Sequence, residues 1–126
     1  MCKKNMNKKI MIIDDSNTIR KTARLFLKEL EYEVIEVDDG YNALTQIIDN
    51  YPDLILVDIM MPKLGGYETC TIIKQNPDFE NLPIILLSSK DGILDKAKGK
   101  LYGCDDYLTK PFSKTALFDI VKKYLK

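Results

Sequence analysis

Leu54-Ile55-Leu56-Val57 is an unbroken apolar run that ends in Asp58 and continues as Ile59-Met60-Met61-Pro62-Lys63-Leu64-Gly65-Gly66. Consecutive apolar residues with two β-branched members describe a strand covered on both faces, not one half open to water. A chain containing such a strand must supply layers on either side of it. The Met-Met-Pro and Gly-Gly that follow are a turn. An aspartate at the end of a buried strand, taken alone, is ordinarily a helix cap or turn residue. Asp58 reads differently because three other strands end in groups that complete one site.

Along the chain, Lys9-Ile10-Met11-Ile12-Ile13 is a first short strand, and it stops at Asp14-Asp15-Ser16. Ile19, Ala23, Phe26, Leu27 and Leu30 then recur at helical spacing, with Ser16 placed as N-cap. Glu33-Val34-Ile35-Glu36-Val37 alternates like a strand exposed on one side. Asp38-Asp39-Gly40 turns into a helix that carries Ala43, Leu44, Ile47 and Ile48 on its apolar face and stops before Pro52. After the central strand, a helix runs from about Tyr67 to Gln75 and closes at Asn76-Pro77. Pro83 to Leu87 is another buried strand, ending in Ser88-Ser89-Lys90. Ile93 to Leu101 is helical, with Gly92 and Gly99 lowering its intrinsic stability. A strand around Asp106-Tyr107-Leu108-Thr109 reaches Lys110-Pro111-Phe112. A last helix follows, capped by Ser113 and buried through Leu117, Ile120, Val121, Tyr124 and Leu125.

Strict alternation of strands and helices predicts an α/β fold: a parallel sheet with helices on both faces and right-handed crossovers. The second strand is the most polar and belongs at an edge, which favours the flavodoxin-like (βα)5 order 2-1-3-4-5. Residues 1–7 are a polar lead, and residues 8–126 form one domain of ordinary size. In that fold, ligands sit beyond the carboxyl ends of the strands.

Composition narrows the chemistry. There is no histidine, so triads, HExxH zinc sites and a phosphohistidine-carrier role are excluded. Lysine plus arginine equals aspartate plus glutamate at 19 each, without the basic excess of a general nucleic-acid binder. Cys2, Cys70 and Cys104 lack metal-ligand spacing and fit a reduced, cytoplasmic protein, the latter two as small packing residues. No run has signal-core or transmembrane length, so no membrane insertion is expected.

Read across the sheet, the strand ends present Asp14-Asp15, Asp58, Ser88 and Lys110. Carboxylates sharing a crevice repel and raise the pKa of at least one member unless a cation is present. Hard oxygen ligands with room for water are what Mg²⁺ selects. Lys110 adds fixed positive charge and Ser88 a hydroxyl donor, a set suited to phosphoryl transfer. Individually each residue has a plain alternative: Asp14-Asp15 as an acidic helix start, Ser88 as turn chemistry, Lys110 as a surface lysine. Their joint placement at matching strand ends is what favours a site.

Ile13-Asp14-Asp15-Ser16, Val57 to Pro62 with Gly66, Ser88, and Lys110-Pro111-Phe112 together resemble the receiver (CheY-like) domains of two-component response regulators, over about Lys8 to Lys126. The resemblance implies that Asp58 accepts a phosphoryl group and that Asp14 and Asp15 hold Mg²⁺. It implies that the backbone carbonyl of Met60 completes the metal shell, and that Lys110, before a cis Pro111, contacts the acyl phosphate. Ser88 and Tyr107 would form the switch pair. Ser88 to Gly92, Asp95 to Gly99 and Tyr107 to Lys114 are similar to the PilG type of stand-alone receiver, associated with type IV pilus twitching motility and chemotaxis-like pathways.

On that reading the chain is a phosphorelay protein and not an enzyme in the ordinary sense, since it modifies only itself. Its expected partners are a histidine kinase or histidine phosphotransfer domain and a downstream protein effector, met as a monomer. No effector domain follows Lys126, so output is expected through a binding surface: the fourth helix, the last strand with Tyr107, and the final helix. Lys96, Lys98, Lys100, Lys122 and Lys123 make that surface basic. Met60 and Lys90, two residues beyond Asp58 and Ser88, offer no group to orient an attacking water, which predicts a long-lived phosphoryl group. Alternatives are a phosphate sink for another regulator and a haloacid-dehalogenase-type Mg²⁺-dependent phosphohydrolase. The latter places its Asp nucleophile in an Asp-x-Asp after the first strand, whereas Asp14 and Asp15 are adjacent. A flavodoxin-like FMN binder would need a Ser/Thr-rich loop where these two carboxylates stand.

Overall fold

Five short apolar runs become five parallel strands because every crossover between them is a helix. The computed structural model describes residues 8–89 and 93–125, with 93–96 by backbone alone. The polar lead at 1–7 with Cys2, together with Lys90, Gly92, Lys126 and the side chain of Lys96, lies outside the described residues. The order along the chain is β1 (Lys9–Ile13), α1 (Asn17–Lys28), β2 (Glu33–Val37), α2 (Gly40–Asn50), β3 (Leu54–Asp58), α3 (Gly66–Gln75), β4 (Ile84–Ser88), α4 (Ile93–Leu101), β5 (Asp106–Thr109) and α5 (Lys114–Tyr124). The sheet order is β2-β1-β3-β4-β5, all parallel, with polar β2 at one edge as its alternation predicts.

The two-residue period of the strands sorts the core into two layers. Ile10, Ile12, Leu54, Leu56, Ile85 and Leu87 face α1 and α5, where Ala23, Leu27, Leu117 and Val121 are buried against them. Met11, Ile13, Ile55, Val57, Ile84 and Leu86 face the opposite layer, built on Ala43, Ile47, Cys70 and Ile73. Cys70 and Cys104 are both buried free thiols in this second layer, the packing role expected of them.

Helix starts follow the polar residues that precede them. Ser16, Asp39 and Ser113 accept hydrogen bonds from the amides of Ile19, Asn42 and Ala116, satisfying donors that the first turn leaves open. Three local details differ from the sequence expectation. Helix α3 begins at Gly66, one residue before Tyr67, and Gly65 at its N-cap makes no side-chain bond. After Asn76 a short 3-10 turn, Pro77–Phe79, tucks Phe79 into the core. Ile48, expected on the buried face of α2, is 60% exposed, because Ile47 already fills the inward position.

Gly99 in α4 has a packing reason that intrinsic propensity does not reveal. A β-carbon there would stand 2.6 Å from Cδ1 of Leu86, a fully buried side chain that would have to shift. In an exposed helix Gly→Ala stabilises by about 1 kcal/mol. Here overpacking opposes it, and Gly99→Ala is expected to destabilise the fold by about 1 kcal/mol net. Urea denaturation decides between the two: a raised midpoint would mean that α4 does not pack this closely on β4.

Candidate functional site

A parallel sheet brings all its strand ends out along one edge, so residues far apart in sequence meet there. Asp14 follows β1, Asp58 closes β3, Ser88 closes β4 and Lys110 follows β5. Lys110 Nζ donates to Asp14 Oδ2 at 3.1 Å and to Asp58 Oδ1 at 3.0 Å. Its own backbone N–H donates to the Ser88 carbonyl at 2.6 Å, locking the two strand ends together. The Lys110–Pro111 peptide bond is cis. Asp14 and Asp58 are buried, and Asp15 reaches solvent. One carboxylate oxygen from each of Asp14, Asp15 and Asp58 lies within 4.8 Å of the others, a set that could hold a metal ion.

The backbone around these groups is fixed tightly. Asp14 donates its N–H to the Val37 carbonyl on β2, and its Oδ1 accepts from the N–H of Ser16. Gly66 donates its N–H to the Ile59 carbonyl, so α3 starts hard against the end of β3. Any side chain at Gly66 would run into the backbone carbonyl of Asp58. Thr69, one turn later and fully buried, donates its hydroxyl to the Gly65 carbonyl at 2.8 Å.

Burial raises the pKa of Asp58 above the ordinary carboxylate value. Lys110 opposes the shift, while the charges of Asp14 and Asp15 add to it. For Lys110, burial works against the ammonium, but its hydrogen bonds to Asp58 and Asp14 outweigh that and raise its pKa. The lysine is therefore held charged, and the surplus negative charge falls on the aspartates.

Arg20, on α1, takes a place behind the site. Its Nη1 donates to the backbone carbonyl of Asp14 at 2.6 Å, and its Nε reaches Glu36 on β2 at 3.3 Å. Glu36 also gathers Lys21 and Arg24. Burial opposes its ionisation, but the hydrogen bonds from Arg24 and Lys21 prevail and lower its pKa. Periodicity cannot find such a residue, because Arg20 acts on a main-chain atom of a different element.

Met60 lies in the loop after β3 with its side chain 77% exposed, leaving the backbone as the part of this residue available to a site. Tyr107 lies on β5. It pairs in register with Leu86 and borders a cleft lined by Gly99, Cys104 and Lys123 on the α4 side of the sheet. Of the predicted basic surface, Lys98 lies 4.9 Å over the Tyr67 ring and Lys123 pairs with Asp106 at 3.0 Å. Tyr124 donates its hydroxyl to the same Asp106 at 2.8 Å. Burial and that carboxylate push its pKa up to about 12.

A family model described as the response regulator receiver domain matches residues 10–122. The chain is 54% identical over 117 residues to Protein PilG of Pseudomonas aeruginosa, covering 93% of this chain and 87% of that protein. It spans about half the length of other curated relatives it matches. Among solved structures, a putative response regulator from Chloroflexus aurantiacus superposes with a TM-score of 0.90 at 36% identity, over 94% of this chain and 97% of that one. The chemotaxis protein CheY4 of Vibrio cholerae gives 0.89 at 29% identity, over 94% and 98%.

Because folding raises the pKa of Asp58, its ionised form costs stability at pH values above that raised pKa. The cost disappears as pH falls below the unfolded value, where the carboxyl is protonated in both states. Asp58→Asn is expected to melt higher than wild type at neutral pH in a chelator, with the gap closing as pH falls through the carboxylate range. Thermal melts at several pH values check this, and a gap independent of pH would contradict it.

Proposed function

The chain belongs to the response regulator receiver family, and on that premise we propose that Asp58 is the phosphoryl acceptor of a phosphorelay. The observation that carries the proposal is the meeting of Asp58 with Asp14, Asp15 and Lys110 at one strand edge. Receiver domains are signalling modules that work with a histidine kinase and downstream effectors, not enzymes in the usual sense.

In the proposed step a carboxylate oxygen of Asp58 attacks the phosphorus of a phosphohistidine on a kinase or histidine phosphotransfer domain. The new O–P bond forms as the P–N bond breaks, and the imidazole leaves with the electron pair and takes up a proton. Lys110, 3.0 Å from Asp58, is placed to meet the incoming phosphoryl oxygens. Asp14, Asp15 and Asp58 form a hard oxygen set that fits Mg²⁺, whose shell the carbonyl of Met60 would complete, and which when bound would neutralise charge on the phosphoryl oxygens. Ser88, buried at the end of β4, supplies a hydroxyl toward the modified Asp58, and Tyr107 turns inward beside Leu86 in response. The face of α4, β5 and α5 then presents a changed surface to an effector.

Similarity to PilG supports a pilus-related role, in twitching motility, for this receiver. A cytoplasmic location is part of the same proposal; no helix among the described residues is long and apolar enough to cross a membrane. We read residues 8–126 as a single receiver unit acting as a monomer on protein partners. Met60 brings no acid or amide toward Asp58, so the phosphoryl group is expected to be long-lived.

Intact mass after incubation with acetyl phosphate and Mg²⁺ tests the acceptor. Wild type should gain a single phosphoryl increment that Asp58→Asn lacks and that chelation prevents. Lys110→Ala should slow uptake by about 10²-fold, the usual cost of removing one electrostatic donor. An increment in Asp58→Asn would move the acceptor elsewhere.

A further inference from the structure

Half of the large hydrophobic residues exposed among the described residues lie on one flank, on elements that do not carry the carboxylate cluster. Of eight large hydrophobic residues exposed among the described ones, Tyr41, Ile48, Tyr51 and Ile72 all lie on α2 and α3 or at the end of α2. Scattered exposed hydrophobic residues need no explanation, but a contiguous set does. Tyr41, Leu44, Ile48 and Tyr51 recur every third or fourth residue and so form one stripe along α2. Ile72 faces them from α3. Leu44, Ile48 and Ile72 border a cleft of about 130 Å³ floored by Ile47, Ile73 and Phe79. The end of the stripe is pinned, since Tyr51 packs on Phe79 at 5.1 Å between ring centroids and donates its hydroxyl to Asp78 at 3.2 Å.

Charge says what would cover this stripe. The helices and turn that frame the cleft carry Asp49, Glu68 and Asp78, all exposed, and Lys74 as their one basic residue. Lys74 is engaged away from the cleft: its Nζ donates to the Glu80 and Leu82 carbonyls and pairs with Asp105 at 3.0 Å. The cleft is thus an apolar furrow between elements whose exposed charges are mostly carboxylates. The face of α4 and α5, with Lys100, Lys122 and Lys123, has the reverse sign, and Lys98 lies between the two over the Tyr67 ring of α3.

We propose that the α2–α3 cleft docks an amphipathic helix from a partner protein, with an apolar stripe bordered by lysine or arginine. Two adjacent helices form a furrow into which the ridge of a third helix packs, its residues at i, i+3, i+4 and i+7 filling the gaps. The stripe from Tyr41 to Tyr51 matches about three turns of such a helix, roughly 15 Å. Basic flanks are drawn to the negative charge that Asp49, Glu68 and Asp78 give the framing elements, while the lysines of the α4–α5 face repel the same segment, which directs it to this side. The site is separate from the carboxylate cluster and does not depend on the phosphorylation reading.

The test is an amide chemical-shift titration of labelled protein with two synthetic helical peptides, each about 18 residues so that the helix is sustained. Both carry the same leucine stripe, one flanked by lysine and the other by glutamate. The lysine peptide should shift amides of α2 and α3 saturably and bind at least about tenfold tighter than the glutamate peptide. Ile48→Asp and Asp49→Lys, both at exposed positions, should each weaken it by about fivefold or more, with far-UV circular dichroism and Asp58 phosphorylation unchanged. Equal binding of the two peptides, shifts centred on another face, or no saturable shift would overturn the proposal. So would concentration-dependent dimerisation that Ile48→Asp abolishes, which would assign the cleft to a second copy of this chain.

Discussion

Two carboxylates buried side by side in a protein interior repel strongly and lose their hydration, and a fold that holds them must bring a cation to the same place. Lys110 is that cation. It is 96 residues from Asp14 and 52 from Asp58 in sequence, yet its ammonium touches both. The strand order supports this contact: β3 lies beside β1, β4 beside β3 and β5 beside β4, so Asp14 stands level with Asp58, Ser88 one residue beyond the partner of Asp58, and Lys110 one residue beyond the partner of Ser88, all at one edge. A slip of one residue in any strand would turn its side chains to the other face and break the set.

The residues that hold the site are spread through the layers that build the fold. Arg20 ties the main chain of Asp14 to Glu36 on the edge strand, and Gly66 lets α3 start against the carbonyl of Asp58. The backbone bond from Lys110 to Ser88 couples the last strand to the fourth. Gly99 keeps α4 within reach of Leu86, the strand neighbour of Tyr107.

The α4–β5–α5 face and the α2–α3 flank carry opposite signs in a chain whose total charge is zero. Net charge alone would describe a molecule without electrostatic preference for partners. Its distribution describes one with two distinct sides, one basic around Lys100 and Lys123, and one apolar on helices that carry exposed carboxylates. The separation requires Lys74 to turn its charge toward Asp105, away from the helix face on which Ile72 stands.

The sequence by itself determined the alternation of strands and helices, the caps at Ser16, Asp39 and Ser113, and the polar edge strand. It also marked the strand-end residues of the site. These are legible because each depends on local periodicity or on a residue acting on its own next turn, and because a parallel sheet turns strand ends into neighbours. The receiver motifs were readable for the same reason, since each is a short string at a strand end. Tertiary structure alone decided the double hydrogen bond of Lys110, the hold of Arg20 on Asp14, the close approach that Gly99 permits, and the exposure of Ile48. Each of these depends on which atoms of a distant element arrive within about 3–4 Å, and contact at that range is set by packing rather than by spacing along the chain.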